Sequence, residues 1–248
     1  MELGPRNIFA FVSDTENKMK AVWSKMSQEF PWILSIPCAA HCFDLLIRDI
    51  SSLEVVSKAL AFCSLMAAYW RNHHLPKAIF ERVQMQENGK VLSIGRSGDT
   101  RWKSQCTAGR TILRTRSALE KSVVDRAFTN ECLKKGTQRQ RSIAADVRRE
   151  ILNSGNFELV ELTVGLLNPV AEALDVAPGE VPGIGAVFRK LLMLERHFKT
   201  FSYPAANEGL REAVISACEK RKNYPYRLVH ALRYLLDPKF VADELQPS

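Results

Sequence analysis

Three small groups of residues have the types that chemistry needs. Asp14 follows the apolar run N-I-F-A-F-V-S at residues 7–13, as a carboxylate delivered at the carboxyl end of a buried strand, where α/β sheets present ligand-binding groups. A carboxylate there can hold a divalent metal for phosphoryl transfer if further acids converge on it. Alone, followed by Thr15 and Glu16, it equally suits a helix N-cap, which is the commoner use of the pattern. Cys38 and His41 are spaced i, i+3 and share one face of a helix. Zinc would need four ligands, and the doublet His73-His74 is not a matching pair at finger spacing. A Cys/His dyad or a buried thiol beside a hydrogen-bonded imidazole is left. Arg101 and Trp102, followed by Lys103, pair a phosphate ligand with an aromatic plane, a combination that clamps a backbone and stacks on an unpaired base. An arginine at a helix start with a core tryptophan behind it would look the same.

Charge is concentrated around this third group. The chain holds 35 Lys/Arg against 27 Asp/Glu, a formal +8. Residues 101–150 alone carry 13 basic and 5 acidic side chains, so the remainder is neutral. A polyanionic partner would therefore meet the middle of the chain, through Arg101, Lys103, Arg110, Arg114 and Arg116. A solvated helix face is the competing explanation of the same charges.

The elements that must position these groups begin with residues 7–13 and 32–36, which read as short strands. Residues 16–29 repeat apolar side chains at Met19, Val22, Trp23 and Met26, which is helical spacing. Strand, helix and strand form a βαβ unit with parallel strands. Strand signals then stop. Helical periodicity covers 39–50, 53–70, 76–85, 105–127, 141–152, 157–175, 183–201, 210–222 and 226–236. Residues 87–100 read as a loop with one short strand at 91–94, and 134–141 as a basic mobile linker. Two parallel strands leave both edges unpaired and both faces uncovered, so the isolated chain is expected to be marginal or aggregation-prone.

Composition bounds the class. A hydrophobic share of 46% with 25% charged residues describes a globular protein and excludes extended disorder. The sequence has no run of about 20 apolar residues for a membrane span and no signal-peptide pattern at its start. Its six cysteines have no repeated spacing and read as reduced thiols.

Five pieces occur in order: S-D-T-E-N-K-M at 13–19, C-A-A-H-C-F-D-L at 38–45, T-R-W-K-S at 100–104, L-V-E-L-T-V-G-L-L-N-P-V-A-E-A-L at 159–174, and H-A-L-R-Y-L-L-D-P-K-F at 230–240. Together they resemble the hAT superfamily of DNA transposases over about residues 7–240. The resemblance implies an RNase H-like catalytic core interrupted by a large helical insertion, with three acids holding two Mg²⁺ or Mn²⁺ ions for strand cleavage and transfer. Asp14 matches the second acid. Cys38 and His41 match the motif beside the active site, and Trp102 the aromatic that stacks on a base near the cleavage point. Thr15, Lys18 and Asp44 depart from the asparagines usual in such proteins, and Lys18 is placed to pair with Asp14 in competition with a metal.

The family's first and last acids are expected upstream of Met1 and beyond Ser248. The expectation is thus a mostly helical α/β chain with a partial RNase H-like core at 1–52, a helical insertion at 53–240 and a tail at 241–248. Its function would be that of a truncated, catalytically inactive transposase-derived protein with residual DNA affinity, holding no cofactor as it stands. Asp14 would bind metal only in a completed fold. The alternatives are a protein-interaction module, in homo- or hetero-oligomers with transposase-like proteins, or a metal-dependent strand-transfer enzyme that borrows its missing acids from another chain. Neither a membrane nor a small-molecule substrate is expected, and location would be nuclear, otherwise cytoplasmic, and not secreted.

Overall fold

The apolar run before Asp14 forms a strand shorter than its pattern. In the computed structural model, which describes residues 4–95, 102–174, 183–207, 209–222, 228–236 and 238, Pro5 turns residues 5–7 into one 3₁₀ turn. The strand β1 begins only at Ala10 and ends at Ser13. It pairs in parallel with β2 (Leu34–Pro37), Ala10 opposite Leu34 and Ser13 opposite Pro37. The crossover is α1 (Asn17–Glu29). The rest is helical among the described residues: α2 (Ala39–Ser51), α3 (Glu54–Asn72), α4 (His74–Asn88), α5 (Trp102–Arg114), α6 (Arg116–Val124), a π-helical turn Phe128–Leu133, α7 (Gln138–Leu152), α8 (Ser154–Leu174), α9 (Ile184–Thr200), α10 (Leu210–Lys222) and α11 (Leu228–Leu236). The protein is therefore mostly helical α/β with one short parallel sheet. Its chain divides into two compact units, one of residues Met1–Asp49 with Glu172–Ser248 and one of Ile50–Ala171.

In the first unit the strand pair leaves Phe9 and Val12 exposed, at 74% and 59% of their surface. Only two strands pair among the described residues, so both outer edges remain open. The helical part is a cluster in which α9 packs against both α10 and α11. Long-range polar contacts then tie it. Arg221 on α10 forks onto Asp49 at the end of α2, with Nε and Nη2 donating to the two carboxylate oxygens at 2.6 and 2.8 Å. Glu195 on α9 accepts from Lys199 at 2.7 Å and from Lys222 of α10.

The second unit is built on α3, whose apolar period predicts a stripe of Val55, Val56, Ala59, Leu60, Cys63, Met66, Ala67 and Trp70; all but Val55 and Leu60 are buried, and Phe62 and Tyr69 are buried with them. It packs against α4, α5 and α7. Met66, Ile112 and Leu119 are fully buried, each worth about 1.5–3 kcal/mol. The half-exposed ion pairs around them are each worth about 0–1 kcal/mol. The core therefore decides stability here, and the ion pairs decide surface charge.

Four expectations are corrected. Residues 91–94 form no strand, because the fully buried Gln84 binds the segment instead: its Oε1 accepts the Leu92 N–H at 2.9 Å and its Nε2 donates to the Leu92 carbonyl at 3.3 Å. The helix expected over 105–127 breaks at Thr115, whose buried hydroxyl donates back to the Thr111 carbonyl at 2.8 Å while its backbone leaves helical geometry at φ −105°, ψ 11°. The expected linker 134–141 contains a helix start. Thr137 and Gln140 form a capping box, each side chain accepting from the other's backbone N–H. Finally, Asp14 is not a helix cap; that position belongs to Glu16. The Pro/Gly cluster 177–185 lies outside the described residues as far as 182.

None of the six cysteines forms a disulfide. Burial pushes Cys42, Cys132 and Cys218 up to about 11 and Cys63 to about 12, so these four remain protonated thiols at neutral pH.

Two measurements check this packing. A Cβ on Gly109 of α5 would sit 2.8 Å from Cγ2 of Val164. Alanine would gain about 1 kcal/mol of helix propensity and lose about 1–3 kcal/mol to overpacking. Gly109→Ala is thus expected to destabilise the chain in urea unfolding, and to become stabilising in a Val164→Ala background. Hydrogen bonds from Lys199, and secondarily from Lys222, hold the Glu195 carboxyl below the ordinary carboxylate range. Its folded-state pKa lies below its unfolded value of about 4.3, so its contribution is complete above that value and is lost as pH falls through the folded one. Stability measured from pH 6 down to pH 3 should fall less steeply in Glu195→Gln than in the unaltered protein.

Candidate functional site

The parallel register brings the first two sequence-predicted groups together. One residue beyond the pair Ser13–Pro37, the Cys38 N–H donates to the Ser13 carbonyl at 2.7 Å. Asp14 and Cys38 therefore leave the sheet side by side, and His41 follows in the first turn of α2. Asp14 is exposed, and its Oδ1 accepts the Glu16 N–H at 3.2 Å. This Asx turn is what directs the chain from β1 into α1. A short relay supports it: the Trp23 indole N–H donates to Ser13 Oγ at 3.0 Å, and that hydroxyl donates to the Asp14 carbonyl at 2.9 Å. Sequence reasoning missed Ser13 and Trp23 in this role, although their ten-residue separation across a strand-helix turn is the available signal.

The metal implied by the resemblance can be tested against these donors. They offer one carboxylate, with one oxygen already accepting a backbone N–H. No group of three or more His, Cys, Asp or Glu side chains converges among the described residues. A two-ion centre needs several acids around both metals, so the described donors do not fit one, and no step is routed through it. Lys18 is exposed and makes no ion pair with Asp14 among the described residues. Asp44 instead holds Arg48 at 3.0 Å along α2.

The third group lies in the second unit. Arg101 falls outside the described residues, as do the side chains of Trp102 and Lys103, which form the first turn of α5. Arg110 and Arg114 follow on α5 at i, i+4 and are exposed. Arg116 is placed differently. Its Nε donates to Glu120 at 2.8 Å, and its guanidinium lies 4.7 Å from the centre of the Phe157 ring.

All five acids of the basic segment are spoken for. Glu120 pairs with Arg116, Asp125 with Arg82, Glu131 with Lys135, and Asp146 and Glu150 with Arg149. Arg110, Arg114, Arg126, Lys134, Arg139, Arg141 and Arg148 pair with no acid among the described residues. The sequence signal for the division is the acid four positions away on a helix: Arg116 has one at Glu120, whereas Arg110 and Arg114 have none.

Residues 1–66 match the family model described as a domain of unknown function (DUF659). The match spans β1, α1, β2, α2 and the first part of α3. No curated protein and no solved structure matches the chain.

The strand end yields a contrast measurable by chemical denaturation. Ser13→Ala removes the acceptor of a half-buried indole N–H and should cost about 1 kcal/mol. Asp14→Asn keeps an oxygen for the Asx turn on an exposed side chain and should change stability by less than about 0.5 kcal/mol.

Proposed function

We propose that this chain is a slice of an hAT-type transposase-derived protein, catalytically inactive by itself, that holds DNA through the unpaired cations of α5 to α7. The observation that carries the reading is the charge arrangement: every acid in the basic segment is taken up by a partner, while seven described cations on neighbouring elements are not. Such a surface suits a phosphate backbone, because each phosphate contact by Lys or Arg releases condensed counterions. Support for the family comes from two of the five motif pieces, at 13–19 and 38–45. Both fall inside the stretch matched by DUF659, on a parallel βαβ unit that presents Asp14 at a strand end. Residence in the nucleus follows from the same reading.

A second reading has an observation of its own. Val12 and Leu34 of the strand pair and Phe9 just before it are exposed at 59%, 49% and 74%, a surface that a protein partner or a transposase-like chain would cover by adding strands. The third reading, an enzyme completed by another chain's acids, predicts Mg²⁺- or Mn²⁺-dependent nicking that disappears in Asp14→Ala.

The decisive experiment is the salt dependence of duplex binding, measured by fluorescence anisotropy. Log K should fall linearly with log salt. Replacing both Arg110 and Arg114 by Ala should reduce the slope by up to about 2, each phosphate contact contributing about 0.9. Arg116→Ala, which breaks an internal pair, should lower thermal stability and leave the slope nearly unchanged. Binding insensitive to salt, or a slope that only Arg116→Ala alters, would overturn the DNA reading.

A further inference from the structure

The second unit contains a cavity of about 320 Å³ between the α3–α4 junction and the approach to α7. Two chain reversals create it. At one, His73 leaves helical geometry at φ −119°, ψ 107°, and α4 restarts immediately with Pro76 in its first turn. At the other, the π-helical turn Phe128–Leu133 is followed by Gly136 at φ +92°, which turns the backbone into the capped start of α7. A Cβ on Gly136 would lie 2.7 Å from Gln140 Oε1, so the turn requires glycine twice over, for its left-handed φ and for this close approach. Widened turns of the π type are frequent at functional sites.

The lining has two characters. Tyr69, Pro76 and Ala144 supply flat or apolar wall, and His73, Glu131, Lys135 and Gln140 supply polar groups. The His73 ring stacks on Tyr69 with centroids 4.7 Å apart, and its Nδ1 lies 3.0 Å from the Tyr69 carbonyl. A carbonyl only accepts, so Nδ1 carries the hydrogen and Nε2 is the ring nitrogen left for a ligand. Gln140 spends Oε1 on the Thr137 N–H, which leaves its amide N–H₂ as donor. Lys135 spends one of three ammonium hydrogens on Glu131 at 2.9 Å. That pair cancels in charge, while Lys134, Arg139 and Arg141 near it in sequence pair with no acid among the described residues. The balance of the neighbourhood is positive and rich in donors.

A planar wall, donors on Lys135 and Gln140, and a surplus of basic residues in the flanking sequence suit one kind of ligand, with the Glu131 carboxylate already held by Lys135. We propose that this cavity is a binding site for a small planar aromatic anion, one ring bearing a single phosphate or carboxylate. The ring lies against Tyr69, His73 and Pro76, and the anionic arm meets Lys135 and the Gln140 amide. The volume, at the lower end of the range for small-molecule sites, fits one ring with a short arm. Burial raises the Cys132 thiol beside the wall to about 11, so it remains a protonated thiol at neutral pH. This site is independent of the DNA reading.

The test is isothermal titration of the full chain with phenyl phosphate, alongside benzoate, phenol and inorganic phosphate. Phenyl phosphate or benzoate should bind at least tenfold more tightly than either phenol or inorganic phosphate, with the stronger of the two telling which anionic group is preferred. Gln140→Glu keeps an acceptor for the Thr137 cap but replaces the donor by a negative charge, and should weaken binding at least tenfold. Lys135→Gln, on an exposed side chain, should weaken it at least threefold while the thermal midpoint stays unchanged. Replacing Arg110 and Arg114 should leave it intact. Equal affinity for the ring-bearing anions and for inorganic phosphate would overturn the proposal, as would binding that survives Gln140→Glu or is lost with Arg110 and Arg114.

Discussion

Four aromatic rings fix the geometry on which the second unit depends. Trp70 stands 4.9 Å from Phe80 and 6.2 Å from Phe128, and Tyr69 lies 5.3 Å from Trp70 and 6.5 Å from Phe128. They bring α3, α4 and the π-helical turn to one point. Edge-on and tilted ring pairs add about 0.5–1.5 kcal/mol each beyond burial, enough to offset the indole N–H of Trp70, which is buried with no acceptor. α4 itself stops at the left-handed Gly89, whose N–H donates to the Met85 carbonyl. Tyr69 of this cluster also forms part of the cavity wall.

Charge on this scaffold is sorted by local spacing. Acids four residues from a basic side chain on the same helix are neutralised, as in Arg116–Glu120 and Lys58–Glu54, and more distant acids reach across, as Asp125 does to Arg82 and Glu87 to Lys121. What remains is a field of cations that none of the described acids compensates. That distribution is a property of helix geometry more than of total charge. A shuffle of the same residues could keep the formal charge and lose the field.

Much of the fold was legible in the sequence. The parallel βαβ unit and the position of Asp14 at a strand end follow from two short apolar runs flanking a helical period, and most of the stripe on α3 from an apolar period of 3.6 residues. The misreadings share a cause: a polar side chain bound to backbone where periodicity alone sees nothing. Gln84 turned an apparent strand into a clamped loop, Thr115 broke a continuous helical pattern, and Thr137 with Gln140 made a helix start from what looked like a polar linker. The last of these was readable, since Thr three residues before Gln is a capping signature. Of the candidate site, the adjacency of Asp14 and Cys38 was foreseeable from strand register. The engagement of Arg116 with Phe157 was not, because it joins residues of different helices whose crossing no local pattern encodes.

The fork of Arg221 on Asp49 joins residues 172 positions apart. During synthesis at about 5–20 residues per second, roughly ten to thirty seconds separate the two. Through that interval the ribosome presents the strand pair and α2 without their clasp, while the inserted helices, whose contacts are nearer in sequence, can already condense. The order of folding along the polypeptide thus runs from the middle outward, and the unit that begins first is finished last.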